Sequence, residues 1–373
     1  MEHAALTPAY IVDRELLIKN LEILRQVKQR AGCKILLAQK AFSMYCFYPL
    51  IAEYLDGATA SGLFEAKLSH EHMQKENHVF SSAYRPDEFD EIAKICGHIV
   101  FNSFAQWQTY KKQALAANAS CGLRINPEIS TQEHAIYDPC SPGSRLGITI
   151  DRFKDNMLDG IDGLHFHTLC EQDSDALETT LKAVEEKFGK YLYNMKWLNF
   201  GGGHHITRPG YDIDRLVKCV KHMRKKYSLE IYIEPGEAIA LNAGFLESRV
   251  LDITENSGIK NAILDVSAAC HMPDVIEMPY RPPILDSGEP DEKAYTYRLG
   301  GPSCLAGDII GDYSFDTALN IGDRIIFGDM AIYSMVKNNT FNGMALPVIY
   351  ARENGKLKLI KKFDYSDFKN RLS

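Results

Sequence analysis

Apolar positions along the first two thirds of the chain repeat in two alternating textures. Leu17, Leu21 and Leu24 follow Asp13 at helical spacing, and Asp13 is of a type that caps helix N-termini, so a helix is predicted from there to Arg30. The apolar run Ile35-Leu36-Leu37-Ala38 comes next, short enough for a buried strand. Strand-like runs recur near 57–61, 78–82, 98–102, 121–126, 161–167, 196–200 and 230–234. Segments of helical length lie between most of them, such as 86–95, 103–117, 174–189 and 211–227. With the first run included, eight strands alternate with helices. That alternation matches a (β/α)8 barrel of parallel strands joined by crossover helices. An open doubly wound sheet is the competing arrangement, because alternation does not show closure.

Beyond residue 240 the texture changes. Runs at 245–253, 262–266, 295–299, 324–327 and 346–350 look like strands, separated by turns rich in Gly, Pro and Asp, and helical periodicity is weak. The proline-rich, acidic stretch 279–293 reads as a loop within this region, since strands resume after it. A chain of 373 residues is long enough for two domains. The predicted organisation is α/β: a (β/α)8 barrel over 10–238, and a mainly β domain formed by 1–9 and 239–373.

Composition narrows the function classes. Apolar residues make up 45% and charged residues 24%, as in soluble globular proteins. Lys and Arg number 42 against 49 Asp and Glu, a net charge of −7, and there is no basic run. Nucleic acid and anionic membrane are therefore poor partners. No apolar run reaches membrane-spanning length and the first residues lack the pattern of a secretory signal, so a cytoplasmic protein is expected. Nine cysteines are scattered singly without a Cys-x-x-Cys pair, which argues against a disulfide framework and a structural zinc site. No metal is expected.

Four features sit at or just after the ends of predicted barrel strands, where (β/α)8 barrels carry their active sites. Lys40 follows the first strand, His167 ends the sixth, Gly201-Gly202-Gly203 follows the seventh and Glu234 ends the eighth. Singly, each has a plain explanation: a solvated strand end, a packed or hydrogen-bonded histidine beside His165, a flexible turn, and a strand end before Pro235-Gly236. Together they suit one cofactor. Three glycines let backbone N–H groups approach an anion, and their place after the seventh strand is a recurrent phosphate position. A buried lysine is the amine that condenses with an aldehyde, and a carboxylate facing a pyridine nitrogen keeps it protonated. Lysine, phosphate loop and glutamate describe pyridoxal phosphate.

The segments Ala38-Gln39-Lys40-Ala41-Phe42-Ser43, Gly163-Leu164-His165-Phe166-His167, Asn199-Phe200-Gly201-Gly202-Gly203 and Glu234-Pro235-Gly236-Glu237 resemble the fold-type III, alanine-racemase-like pyridoxal-phosphate decarboxylases. Gly301-Pro302-Ser303-Cys304 and Asp329-Met330-Ala331-Ile332-Tyr333 resemble that family's β-domain signatures, so the likeness spans nearly the whole chain. Within the family, the stretch from Ala269 to Pro282 and Cys304-Leu305-Ala306-Gly307-Asp308 are most similar to the carboxynorspermidine/carboxyspermidine decarboxylase branch. The resemblance implies that Lys40 holds the cofactor, His167 stacks on its ring and Glu234 bonds the ring nitrogen. It further implies that Gly201, Gly202 and Gly203 bind the phosphate with Tyr333 adding a hydroxyl, and that Cys304, contributed across a homodimer, is the proton donor. The other eight cysteines are expected to be small buried hydrophobes.

Departures from the family pattern bear on substrate. Ornithine-type members have Glu-Pro-Gly-Arg and Cys-Asp where this chain has Glu237 and Leu305. The Arg helps hold the phosphate and the Asp meets the distal amine of ornithine, so ornithine is disfavoured. Glu237 is expected to meet the cationic amine of a longer, carboxylated polyamine substrate, with Asp274 a second amine contact. Inside the family the alternative is a diaminopimelate- or ornithine-type decarboxylase. Outside it the alternative is a non-catalytic pyridoxal-phosphate-binding or regulatory homologue, disfavoured because Lys40, Glu234 and Cys304 are all present.

Overall fold

The computed structural model describes residues 3–132 and 135–373, and the chain divides into two compact units, Asn20–Ile239 and the pair Met1–Lys19 with Ala240–Ser373. Strand β1 (Ala9–Asp13) leads directly into helix α1 (Arg14–Ala31). The Asp13 carboxylate accepts the Leu16 N–H at 3.0 Å, so this residue both ends the strand and caps the helix.

Eight strands then follow in the first unit: β2 (Lys34–Ala38), β3 (Gly57–Ala60), β4 (Glu76–Phe80), β5 (His98–Phe101), β6 (Ser120–Arg124), β7 (Gly163–His165), β8 (Trp197–Asn199) and β9 (Glu230–Ile233). Each pairs in parallel with the next, and β2 also pairs with β9 through Lys34 with Tyr232 and Ile35 with Ile233, closing a barrel. Closure excludes the open sheet. Helices α2 (Tyr48–Ala52), α3 (Leu63–His72), α4 (Phe89–Ile95), α5 (Phe104–Ala116), α6 (Ser174–Leu192) and α7 (Ile213–Tyr227) cross between strands. Helix α3 is weakly legible in the sequence because it buries Leu63 beside small residues, Ala66 and Ser69, and leaves Phe64 82% exposed. Between β6 and β7 the described residues form only short 3-10 turns in place of a helix.

The barrel interior is filled away from the strand C-termini by Trp197, Tyr232, Leu36 and Val100. The indole fits because two neighbouring strands carry glycine beneath it. A Cβ on Gly163 would stand 2.1 Å from the Trp197 ring, and one on Gly122 would stand 2.2 Å from it. The indole N–H is satisfied by Ser120 Oγ at 2.9 Å. Gly163→Ala is therefore expected to destabilise the protein by about 1–3 kcal/mol through overpacking. Chemical denaturation measures it, and unchanged stability would contradict this packing.

The second unit is a mainly β structure. Its further strands are β10 (Gly244–Asn256), β11 (Ile259–Leu264), β12 (Tyr295–Gly300), β13 (Ile309–Phe315), β14 (Arg324–Gly328), β15 (Val348–Glu353) and β16 (Lys356–Lys361). The sheet runs β13-β12-β11-β10-β1-β15-β16, with β14 also on β10. Strand β1 lies antiparallel to β10 and parallel to β15. Its side chains alternate between two cores: Tyr10 packs with Leu246, Tyr313 and Phe327, whereas Ala9 and Ile11 pack with Val348 and Tyr350. The region 279–293 holds no strand or helix, as expected for a loop. None of the nine cysteines, all within the described residues, is in a disulfide; Cys46 is exposed and Cys170 half-buried, unlike the buried hydrophobes expected there.

Candidate active site

The barrel places four of the expected groups together. Lys40 stands two residues past β2, in a turn closed by the Ala41 N–H donating to the Ala38 carbonyl at 3.1 Å. His167 stands two residues past β7, and Glu234 directly follows β9. With Thr59, Arg124 and His165 they line a cavity of about 220 Å³ at the C-terminal ends of the strands. The Lys40 side chain is open to solvent within the cavity yet surrounded by protein, and that desolvation lowers its pKa against the opposing pull of Glu234. A lowered pKa raises the share of neutral, nucleophilic amine.

Glu234 is the fixed charge of the site. Desolvation acts to raise its pKa, but His165 and Asn199 outweigh it and hold the carboxyl down at about 2. Asn199 Nδ2 donates to Oε1 at 2.7 Å, and His165 Nε2 lies 3.5 Å from Oε2. Of the two histidines, His165 stacks on Phe80 with ring centroids 5.5 Å apart. His167 Nδ1 accepts the Gly202 N–H at 3.2 Å, and burial beside Lys40 and Arg124 keeps that imidazole neutral. Arg124 donates to the His167 carbonyl at 3.1 Å with its guanidinium 4.6 Å from the centre of the Phe80 ring.

The glycine run is required by close approach. A Cβ on Gly202 would meet the Glu234 carbonyl at 2.7 Å, and one on Gly203, whose φ is +82°, would meet the Leu169 carbonyl at 1.9 Å. The Gly201 N–H donates to Asn199 Oδ1 at 2.9 Å, so side chains of the site already engage two of the three loop amides. The short helical turn that starts at Glu237 follows the eighth barrel strand, the place where such barrels build phosphate sites. Glu237 Oε1 lies 3.7 Å from His205 Nε2.

Cys304, Asp274 and Tyr333 belong to the second unit. The exposed Cys304 Sγ donates to Asn342 Oδ1 at 2.9 Å. Asp274 is ion-paired with Lys337, which also contacts Glu277 at 2.5 Å. Tyr333 has a φ of +53° and Asp329, in the same signature segment, one of +54°. Arg124 and Asn199 are site residues that the sequence reading passed over. Each is the last residue of a barrel strand, the criterion that singles out Lys40 and Glu234.

The donor set fits pyridoxal phosphate: an amine of lowered pKa, an ionised carboxylate, imidazole faces and a guanidinium share one cavity. Nδ1 of the fully buried His165 also lacks a hydrogen-bond partner, so polar capacity beside Glu234 is left over. Comparison with known proteins agrees. The model of the pyridoxal-dependent decarboxylases, C-terminal sheet domain, matches residues 9–331. A carboxynorspermidine/carboxyspermidine decarboxylase of Campylobacter jejuni is 45% identical, over 97% of each chain. A carboxyaminopropylagmatine decarboxylase of Synechocystis is 44% identical, over 98% of this chain and 95% of the other. The crystal structure of Campylobacter jejuni carboxynorspermidine decarboxylase with norspermidine superposes with a TM-score of 0.92 at 44% identity, over 98% of this chain and 99% of that one. The diaminopimelate decarboxylase of Helicobacter pylori, at 18% identity and a TM-score of 0.82, shares the fold. The chain belongs to the pyridoxal-dependent decarboxylase family, and its cofactor is pyridoxal phosphate.

Proposed function

We infer that the protein decarboxylates carboxynorspermidine and carboxyspermidine, releasing norspermidine and spermidine for polyamine biosynthesis. The observation that carries this is the 45% identity to the Campylobacter jejuni enzyme over 97% of both chains. Diaminopimelate decarboxylases are only 24–27% identical over 61–74% of the chain, which disfavours that alternative. A non-catalytic role is disfavoured because the full set of Lys40, Glu234 and Cys304 is retained. The 44% identity to the Synechocystis enzyme supports a second substrate, carboxyaminopropylagmatine, in which a guanidinium ends the chain.

When bound, the cofactor supplies an electrophilic aldehyde and a ring that accepts the electron pair released with carbon dioxide. Lys40 would hold it through its side-chain amine. Glu234, ionised throughout the physiological range, holds a proton on the ring nitrogen. His167 would cover one ring face, and the Gly201, Gly202 and Gly203 turn with Tyr333 would hold the phosphate. The working unit of this reading is a homodimer in the cytoplasm, where Cys304 of the partner subunit returns a proton to the carbon that lost carbon dioxide. No helix among the described residues is long and apolar enough to cross a membrane.

Steady-state competition among carboxynorspermidine, carboxyspermidine, carboxyaminopropylagmatine, ornithine and diaminopimelate tests the assignment. A carboxylated polyamine is expected to lead in kcat/KM by ~100-fold or more over ornithine and diaminopimelate, as a site built for an extra buried amine should discriminate. Preference for ornithine or diaminopimelate would refute it. Cys304→Ala is expected to lower kcat about 100-fold, the scale of general acid catalysis, with the visible absorbance of the cofactor retained. Undiminished kcat in that variant would remove Cys304 from the mechanism.

A further inference from the structure

In the sheet unit, Cys304 and Asn342 meet across 38 residues of sequence because one short helix holds both of their turns. That helix is Ala268–His271, capped by Ser267 Oγ, which accepts the Cys270 N–H at 3.1 Å. The two polar groups of Ala269 each secure one turn. Its N–H donates to Asp308 Oδ1 at 3.2 Å, and its carbonyl accepts from Asn339 Nδ2 at 2.8 Å. The buried Asp308 closes the turn that carries Cys304. Its Oδ2 accepts from Ser303 Oγ at 2.6 Å, its carbonyl accepts the Gly301 N–H at 2.9 Å, and its own N–H donates to the Leu305 carbonyl at 2.9 Å. On the other side, the Asn339 N–H donates to the Cys270 carbonyl at 2.9 Å and Asn339 Oδ1 accepts the Phe341 N–H at 2.9 Å. The hydroxyl of the buried Thr340 accepts from the Arg371 guanidinium.

Asn342 stands at the tip of this second turn. Its φ is +61° and that of Gly343 is +75°, and the Met344 N–H closes on the Phe341 carbonyl at 3.1 Å, the pattern of a tight Asn-Gly turn. The backbone alone accounts for a residue that tolerates positive φ. It does not account for the direction of the amide, whose Oδ1 accepts from Cys304 Sγ at 2.9 Å. Both ends of this hydrogen bond are carried on turns that are themselves tied down, so little conformational entropy opposes it.

We propose that Asn342 is a positioning residue for the Cys304 thiol, an inference that rests on the reading of Cys304 as the proton donor. A hydrogen bond that only the S–H form can donate keeps the proton on sulfur. A donor has to hold its proton until carbon dioxide has left, so that is the useful state. The same bond selects one direction for the sulfur, and a placed donor transfers its proton far faster than a free one. In the transfer the S–H bond breaks, and a C–H bond forms with the electron pair that departing carbon dioxide leaves behind. The thiolate then regains a proton from water. An amide suits this task better than a carboxylate would, because a negative charge beside sulfur opposes the thiolate that the transfer produces.

The test uses the holoenzyme with Asn342→Gly and Asn342→Asp, both of which tolerate the positive φ and so preserve the turn. The first readout is the rate of iodoacetamide alkylation at neutral pH, followed by mass spectrometry on the peptide containing Cys304, since Cys46 is also exposed. Alkylation is expected to be about fivefold faster in Asn342→Gly and about fivefold slower in Asn342→Asp, the scale of one hydrogen bond. The second readout is a double-mutant cycle. Each Asn342 variant is expected to lower kcat ~10-fold with KM unchanged, a fraction of the general-acid contribution, and to have no further effect on kcat when Cys304→Ala is already present. Retained cofactor absorbance checks folding. Alkylation that is unchanged, or that shifts in the same direction in both variants, would overturn the proposal. So would an equal fall in kcat with and without Cys304→Ala, which would make Asn342 a structural residue only. Failure of the donor reading is separately visible: Cys304→Ala alone would then leave kcat undiminished, and the proposal would fall with it whatever alkylation shows.

Discussion

Lys40→Ala is expected to abolish the visible absorbance of the holoenzyme and to lower decarboxylation by ~10⁴-fold or more, the scale on which enzymes lose rate when a covalent catalytic group is removed. The reason is geometric and electrostatic. Lys40 projects into the cavity that also holds His167 and Glu234. Desolvation there lowers its pKa, so the neutral amine needed to anchor an aldehyde is more available than on a solvated lysine. Alanine is accommodated without strain, because the turn after β2 is closed by backbone groups, the Ala41 N–H and the Ala38 carbonyl. Near-normal stability with a colourless, inactive preparation is therefore the expected combination. A variant that keeps both colour and turnover would show that another residue anchors the cofactor.

Glu234→Gln carries the second largest effect. Glutamine preserves the shape and can still accept from Asn199 Nδ2, but it removes the charge that keeps the ring nitrogen protonated. Loss of a charge aimed at a developing electron pair costs about 10²–10³ in kcat. The pH dependence follows from sign. The carboxyl is held at about 2, far below its ordinary range, so it is ionised at every pH at which the enzyme is assayed. Wild-type kcat should then show no ionisation attributable to Glu234 between pH 5 and 9. A limb in that range that disappears in Glu234→Gln would contradict the assigned charge state.

Much of this architecture is visible in the sequence, for physical reasons that differ by region. Barrel strands such as Ile35-Leu36-Leu37-Ala38 are buried on both faces, so they read as short apolar runs, and all eight fall where the runs predict. Closure is not legible, since it depends on β2 finding β9 almost 200 residues away. In the sheet unit, β13 escapes detection because Gly311 and Asp312 interrupt its apolar pattern. Strand β16, Lys356–Lys361, is an edge strand whose lysines dilute its alternation. β1 escapes because Asp13 also caps α1, and the helix signal dominates the reading.

The site is legible where chemistry is concentrated in distinctive residue types, and less so where it is relational. Lys40, the glycine run and Glu234 stand out by type and by position after a strand. Arg124 and Asn199 look ordinary until the barrel closes and turns them onto His167 and Glu234.

The central claim is that Lys40, at the end of the first barrel strand, carries pyridoxal phosphate for decarboxylation. Borohydride reduction of the holoenzyme, followed by proteolysis and mass spectrometry, tests it most directly. One pyridoxyl-phosphate adduct per chain, on the peptide containing Lys40, is the predicted result. An adduct on a different lysine, or a holoenzyme whose reduction leaves Lys40 unmodified, would contradict it.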